Sequence, residues 1–199
     1  TNSEENNDQD LWLMRIDADR EIVWSHTYGG RYAEFPVSIQ QTDDGGYIFG
    51  SFSYSFGWDG SIYVVKVDDE GEEEWANSYG GNERDDCGTV IQTAAGEFLI
   101  VGSTESFGVD RRDAYVILID DDGEVIWDQT YGGRQIDSFS GGIQLEDGSF
   151  RFVGATSSFG HDNNFAWLAQ TDGEGEDLQN LFFDERLIFK DIFLMEDEG

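Results

Sequence analysis

Proline occurs once in the 199 residues (Pro36), cysteine once (Cys87), histidine twice and lysine twice. A single cysteine excludes an internal disulfide, and Cys87 reads as a small core residue. The histidines, His26 and His161, are isolated and make no metal constellation. No spacing suggests a Ser-His-Asp or Cys-His nucleophile set. No apolar run approaches the roughly 18 residues that a membrane helix needs, and no stretch reads as a signal peptide. The polar opening, residues 1–9, is expected to be an acidic, flexible segment. It fits a spacer left after a signal or lipid-anchor site, and equally a mere boundary of the chain.

What the chain does have is acid. Eleven cationic residues face 43 acidic ones, for a formal charge of −32. That balance argues against nucleic acid and against anionic membrane surfaces as partners. Disorder is the usual consequence of such charge, but disordered chains lack aromatics, and here 15% of residues are Phe, Trp or Tyr. The acids concentrate in turns and at strand ends, as a solvated shell on a folded body would require. An acidic shell with two lysines resembles proteins of salt-accumulating organisms, haloarchaea above all. Self-repulsion destabilises such a shell in dilute buffer. In molar salt the Debye length is only about 3 Å and the repulsion is screened.

A repeat outranks every other signal. Asp17, Asp68 and Asp120 each precede a tryptophan by seven residues (Trp24, Trp75, Trp127), and Tyr-Gly-Gly begins four residues after each Trp. The steps between these Asp residues are 51 and 52, and a further step of 51 reaches Thr171, with Leu178 in the tryptophan slot. Each unit opens with a short run that is apolar at both parities, such as Ile62-Tyr63-Val64-Val65 or Ala114-Tyr115-Val116-Ile117-Leu118. Such runs predict strands buried on both faces. A tight Asp/Gly turn, the Trp-bearing strand, a third strand, a second turn, a fourth strand and a Ser-Phe-Gly loop follow. Arg20 stands in the first copy where the turn glycine is expected.

The fold class expected is all-β, a β-propeller of four-stranded antiparallel blades. The segment from Asp59 through Thr93 resembles the tandem Trp-Tyr-Gly-Gly repeats of large secreted archaeal and bacterial surface proteins, similar to the quinoprotein (PQQ-like) and kelch propellers. The resemblance runs from residue 10 to about residue 170. It implies that Trp24, Trp75 and Trp127 dock adjacent blades together, and it identifies a fold without naming an activity.

One domain, residues 10–199, is expected, with repeat units anchored at Asp17, Asp68, Asp120 and Thr171. Residues 1–30 then supply two outer strands of one blade, three nearly whole blades follow, and residues 187–196 supply a further strand. Two architectures fit. One is a four-bladed ring closed by the C-terminal strand joining the N-terminal pair. The other is part of a larger propeller, or one that completes itself with a second chain. An open ring would leave strand edges prone to self-association.

Four sets of residues are candidates for chemistry. The Asp-rich turns, densest at Asp120 and Asp122, suggest calcium, although turn geometry and surface charge explain them more simply. Glu34, Asp85 and Asp137 each follow Tyr-Gly-Gly by four residues, and central carboxylates would suit a glycosidase. Yet they recur in every copy, as structural residues do and catalytic partners do not. Tyr-Gly-Gly precedes no helix and so cradles no phosphate. A quinone cofactor is not expected. The Ser-Phe-Gly loops remain, with Phe56, Trp58, Phe107, Arg111, Arg112 and Phe159 as ligand-binding candidates at one edge of the scaffold. The phenylalanines would otherwise plug the gaps between blades. The function expected is therefore a non-enzymatic extracellular or cell-surface propeller of a halophile, binding or structural in role, with a glycan or protein partner. The alternatives are a carbohydrate-active enzyme and a subunit of a surface assembly.

Overall fold

The computed structural model of the chain describes residues 9–159 and 165–183. Among these residues all regular elements are strands. They are β1 (Leu11–Ile16), β2 (Ile22–Tyr28), β3 (Glu34–Gln41), β4 (Tyr47–Ser53), β5 (Ser61–Val67), β6 (Glu73–Tyr79), β7 (Asp85–Gln92), β8 (Phe98–Thr104), β9 (Asp113–Ile119), β10 (Val125–Tyr131), β11 (Asp137–Gln144), β12 (Phe150–Thr156), β13 (Phe165–Thr171) and β14 (Gln179–Phe183). They build one two-stranded sheet, β1-β2, and three four-stranded sheets, β3-β4-β5-β6, β7-β8-β9-β10 and β11-β12-β13-β14. Within each sheet, neighbours in space are neighbours in sequence and run antiparallel. The all-β class is what the chain adopts. The described residues contain no helix long and apolar enough to cross a membrane.

Each four-stranded sheet begins with the third strand of one sequence repeat and ends with the second strand of the next, which bears Trp75 in β6 and Trp127 in β10 and no tryptophan in β14. The strand pattern follows from this placement. β5 and β9 are buried at every position, because strands flank both edges and sheets cover both faces. The outer strands β2, β6 and β10 are mostly exposed until their closing tyrosine. The first strands β3, β7 and β11 each carry a bulge at the same place, opposite the glycine of the next strand. Pro36 sits in β3, the edge strand of its sheet, where a missing N–H is tolerated.

The turn between a repeat's first two strands is built by its leading aspartate. Asp68 Oδ1 accepts the amides of Glu70 and Glu72 at 2.9 and 2.8 Å, and Asp17 and Asp120 do the same for their own turns. In the fourth copy Asp172, not Thr171, does this work, accepting the amides of Glu174 and Glu176 at 3.0 and 2.8 Å. The register there is therefore one residue later than the sequence suggested, and Gln179, paired with Gln170, takes the tryptophan slot rather than Leu178. A step of 51 misplaced it because the true step repeats the 52 of the copy before. Arg20 also forms its turn, at the price of a left-handed backbone (φ 69°) where the other copies have glycine.

Packing between sheets depends on the repeated phrase. Trp24 donates from Nε1 to the carbonyl of Asp69 at 2.9 Å, and Trp75 to that of Asp121 at 2.8 Å. Tyr28, Tyr79 and Tyr131 donate their hydroxyls to the carbonyls of Gly71, Gly123 and Gly175 at 2.6, 2.7 and 2.6 Å. Every acceptor lies in the Asp/Gly turn of the following sheet. A Cβ on Gly71 would fall 2.9 Å from the Trp24 ring, so that glycine is required by contact as well as by its positive φ. Each tryptophan also meets an aromatic edge-on in the next sheet: Tyr47, Phe98 or Phe150. Three apolar clusters fill the three junctions, around Tyr28 and Phe49, around Ile48 and Ile100, and around Phe139 and Trp167. Cys87 is buried in the second, and burial pushes its thiol up to about 12.

The C-terminal apolar stretch 192–195, on which the ring closure expected from sequence depends, lies outside the described residues, as do residues 1–8, His161 and the tail 197–199.

Candidate functional site

Because each sheet is an antiparallel meander, its connections alternate between two ends. The tight Asp/Gly turns gather at one end. The Tyr-Gly-Gly and Ser-Phe-Gly loops gather at the other. Five of the described arginines, Arg31, Arg84, Arg111, Arg112 and Arg134, lie in or beside these longer loops. So do Tyr32, Tyr54, Phe56, Trp58, Phe107, Val109, Ile136 and Phe159, all large apolar side chains that remain exposed. The loop end thus gathers exposed aromatics and arginines, beside acids such as Glu83, Glu105 and Asp110. Loops held on a rigid scaffold are where recognition commonly resides.

Each Ser-Phe-Gly phenylalanine packs its face on the aromatic two positions into the next strand. Phe56 stacks on Tyr63 with ring centroids 4.5 Å apart, and Phe107 and Phe159 tilt against Tyr115 and Trp167 at 5.5 and 5.8 Å. The other side of Phe56 approaches Gly30, and that of Phe107 approaches Gly81. These rings do fill junctions, yet each stays about two-fifths exposed: 41%, 42% and 43%. Trp58, at the tip of its loop, is 91% exposed.

Of the candidates, the structure brings Phe107, Arg111 and Arg112 together. They line an open groove of about 710 Å³ with Glu83, Glu105, Asp110 and Ile136. Phe56, Trp58 and Phe159 do not line it. The two arginines differ sharply. Arg112 is held at 2.7 Å from Glu105 and 3.1 Å from Asp86, which also binds Arg84 at 2.8 Å. Arg111 makes no ion pair among the described residues. It follows Asp110, whose backbone is left-handed (φ 69°). Sequence reasoning missed Glu83, Glu105 and Ile136; they enter from loops whose convergence only the packing of β7–β10 against β11 decides.

The recurring acids have a different environment. Asp85 and Asp137 are fully buried at 0% exposure. Asp85 accepts the Gly81 amide at 2.7 Å, the Ser106 hydroxyl at 2.8 Å and the Thr104 hydroxyl. Asp137 accepts the Gly133 and Ser157 amides at 2.9 and 3.2 Å and the hydroxyls of Thr156 and Ser158. Glu34 accepts from Ser53 and Ser55. Asp85 and Asp137 therefore tie their Tyr-Gly-Gly loops to the next Ser-Phe-Gly loop, Glu34 holds only the two serines, and all three are almost wholly buried, unlike the solvent-facing acids of a glycosidase. The Asp120 carboxylate caps its own turn, and no group of three metal-ligating side chains occurs among the described residues.

Asp113, at the head of β9, was not singled out in sequence. It is 2% exposed and accepts the Val109 amide at 2.6 Å. Burial, then the nearby charges of Asp137 and Asp110, hold its pKa above the ordinary carboxylate value, against the lowering effect of the Val109 amide.

No protein-family model matches the chain, and no curated protein matches it.

Proposed function

We propose that this chain is a non-catalytic β-propeller module of the Trp-Tyr-Gly-Gly type, working outside the cell or at the surface of a halophilic organism. Its role is to bind a glycan or a protein partner at the loop-bearing end. The observation that carries this reading is the groove in which an exposed phenylalanine, Phe107, lies beside Arg111, a cation without an ionic partner among the described residues, in a chain of charge −32. An aromatic face beside polar hydrogen-bonding groups suits a sugar ring or a planar protein side chain. Burial of Asp85 and Asp137 supports a binding role over hydrolysis.

The propeller reading is supported by three sheets of identical topology stacked face to face, with their first strands drawn together. The Ser38 hydroxyl accepts the Val90 amide at 3.0 Å, and the Gln40 side chain accepts that of Gln92 at 2.8 Å. The test is calorimetry in 3 M KCl against a panel of neutral and acidic oligosaccharides. Binding that falls at least tenfold in Arg111→Ala and Phe107→Ala supports the reading. Binding indifferent to both changes, or release of reducing sugar during the titration, would refute it.

A second reading, self-association, has its own observation. Trp12 is 64% exposed, whereas its counterparts Tyr63, Tyr115 and Trp167 are at most 5% exposed. β1 pairs with β2 alone among the described residues, while β5, β9 and β13 have partners on both edges. An apolar hollow of about 270 Å³, lined by Trp12, Leu13, Val37 and Ile39 among others, adjoins that edge. Ultracentrifugation in molar salt separates the cases: a concentration-independent monomer rules out self-association.

A further inference from the structure

The acids that head β3, β7 and β11 are not equivalent. Asp85 and Asp137 each offer Oδ2 to the second glycine amide of the preceding Tyr-Gly-Gly and to a serine hydroxyl. Glu34 is one methylene longer and makes no bond to the corresponding amide of Gly30. Its Oε1 accepts both serine hydroxyls. Its Oε2 is buried with no hydrogen-bond partner among the described residues, in a residue only 2% exposed.

That oxygen packs against Gly29, in the room its missing side chain leaves. A Cβ on Gly29 would fall 2.3 Å from Glu34 Oε2 and 3.3 Å from Asp10 Oδ1. The two carboxylates come from different sheets, Asp10 just before β1 and Glu34 at the start of β3. The backbone already joins them there, since the Glu34 amide donates to the Gln9 carbonyl at 2.7 Å. A buried anionic oxygen without a donor is strongly unfavourable, and a second carboxylate beside it makes matters worse unless a counter-charge lies between them.

We propose that Glu34 and Asp10 bind a hard divalent cation of the calcium class beside Gly29, joining the β1-β2 sheet to the β3–β6 sheet. The donor set is all oxygen and doubly negative, which suits calcium and not zinc or copper. Two carboxylates leave most of the coordination shell to backbone carbonyls and water, which calcium's irregular geometry accommodates. So sparse a set places the affinity near the weak end for calcium, about 10⁻⁴–10⁻³ M, as in extracellular modules. The site lies at the loop end, opposite the Asp120 turn, and does not depend on the loop groove binding anything.

The test is a calcium titration of the full chain in 3 M KCl, followed by calorimetry and by thermal melting. The wild type is expected to show one saturable site and a melting temperature that rises with calcium. Glu34→Asp keeps the charge but should return the carboxylate to the Gly30 amide, as in the other two sheets. It is expected to fold and to weaken binding at least tenfold. Glu34→Gln should abolish the response, and Asp120→Asn should leave it intact, with circular dichroism confirming that each variant is folded. An equal calcium response in Glu34→Asp and wild type overturns the proposal. So does a wild type blind to calcium whose Glu34→Gln variant melts higher at pH 7, since a shared proton would then be the counter-charge.

Discussion

Replacing Asp113 with asparagine is expected to stabilise the fold at neutral pH. Asp113 is 2% exposed, and a Cβ on Gly132 would fall 2.3 Å from its Oδ1 and 2.6 Å from Asp137 Oδ2. Two buried carboxylates thus crowd one glycine. Asp137 is well supplied with donors, whereas Asp113 receives the Val109 amide and feels Asp110 nearby. Burial and the charges of Asp137 and Asp110 outweigh the Val109 amide and raise the pKa of Asp113, so the folded state holds its proton more tightly than the unfolded chain does. Its contribution to stability is then fully present below the unfolded value, about 4, and is lost as pH rises through the folded value. Asparagine keeps an acceptor for the Val109 amide and offers an N–H toward Asp137. The β3–β6 sheet already has a neutral residue at this place, Ser61, which donates to the Phe56 carbonyl at 3.1 Å. Removing one poorly compensated buried charge should contribute about 1–3 kcal/mol at pH 7–8. For a chain of this size that is about 2–4 °C in melting temperature per kcal/mol. Melting curves in 3 M KCl between pH 4 and pH 9 measure it: the variant should lead at high pH and converge on wild type at low pH. Parallel curves, or a variant less stable at pH 8, would refute the reasoning.

Three further outcomes are expected. Tyr28→Phe should cost about 1–2 kcal/mol in denaturant unfolding, since it orphans the Gly71 carbonyl. Tyr79→Phe should cost less, because Asn77 also donates to the Gly123 carbonyl, at 3.3 Å; equal losses would count against this account of the junctions. Arg20→Gly should stabilise by up to about 1 kcal/mol by relieving the positive φ, partly offset by greater freedom of the unfolded chain, and a lower melting temperature would contradict it. The wild-type melting temperature should climb between 0.1 M and 3 M KCl as the charge of −32 is screened; a flat response would separate the composition from any dependence on salt.

Much of the fold was legible because its signals are local. Apolar runs at both parities marked strands buried on both faces, and the Asp/Gly turns and the repeat of about 51 residues marked where the chain reverses. The fourth copy was misread by one residue because its turn aspartate, Asp172, follows a threonine and its tryptophan is gone; only backbone pairing restored the register. Lys66 was invisible as well. It is 3% exposed between Asp44 and Glu74, at 2.8 and 2.7 Å. Burial alone would raise Asp44, but the Lys66 ammonium, the Thr42 hydroxyl and the Gly46 amide bring it down to about 2. A lysine in a strand gives no sequence sign of such enclosure.

The candidate site divides in the same way. Sequence alone picked out Phe107, Arg111 and Arg112, because a variable loop on a regular repeat is a local departure from a local pattern. It also favoured a structural role for Glu34, Asp85 and Asp137, since a carboxylate recurring at one place in each copy rarely does differentiated chemistry. Spacing fixed the strands, their turns and the phrase that joins sheets, because each depends on residues within about one repeat. The tertiary structure alone decided which loops share a groove, that acids hold Arg112 but not Arg111 among the described residues, and which oxygen of Glu34 lacks a donor there. Those are contacts between repeats, and one methylene at Glu34 or one missing side chain at Gly29 changes them without altering the pattern along the chain.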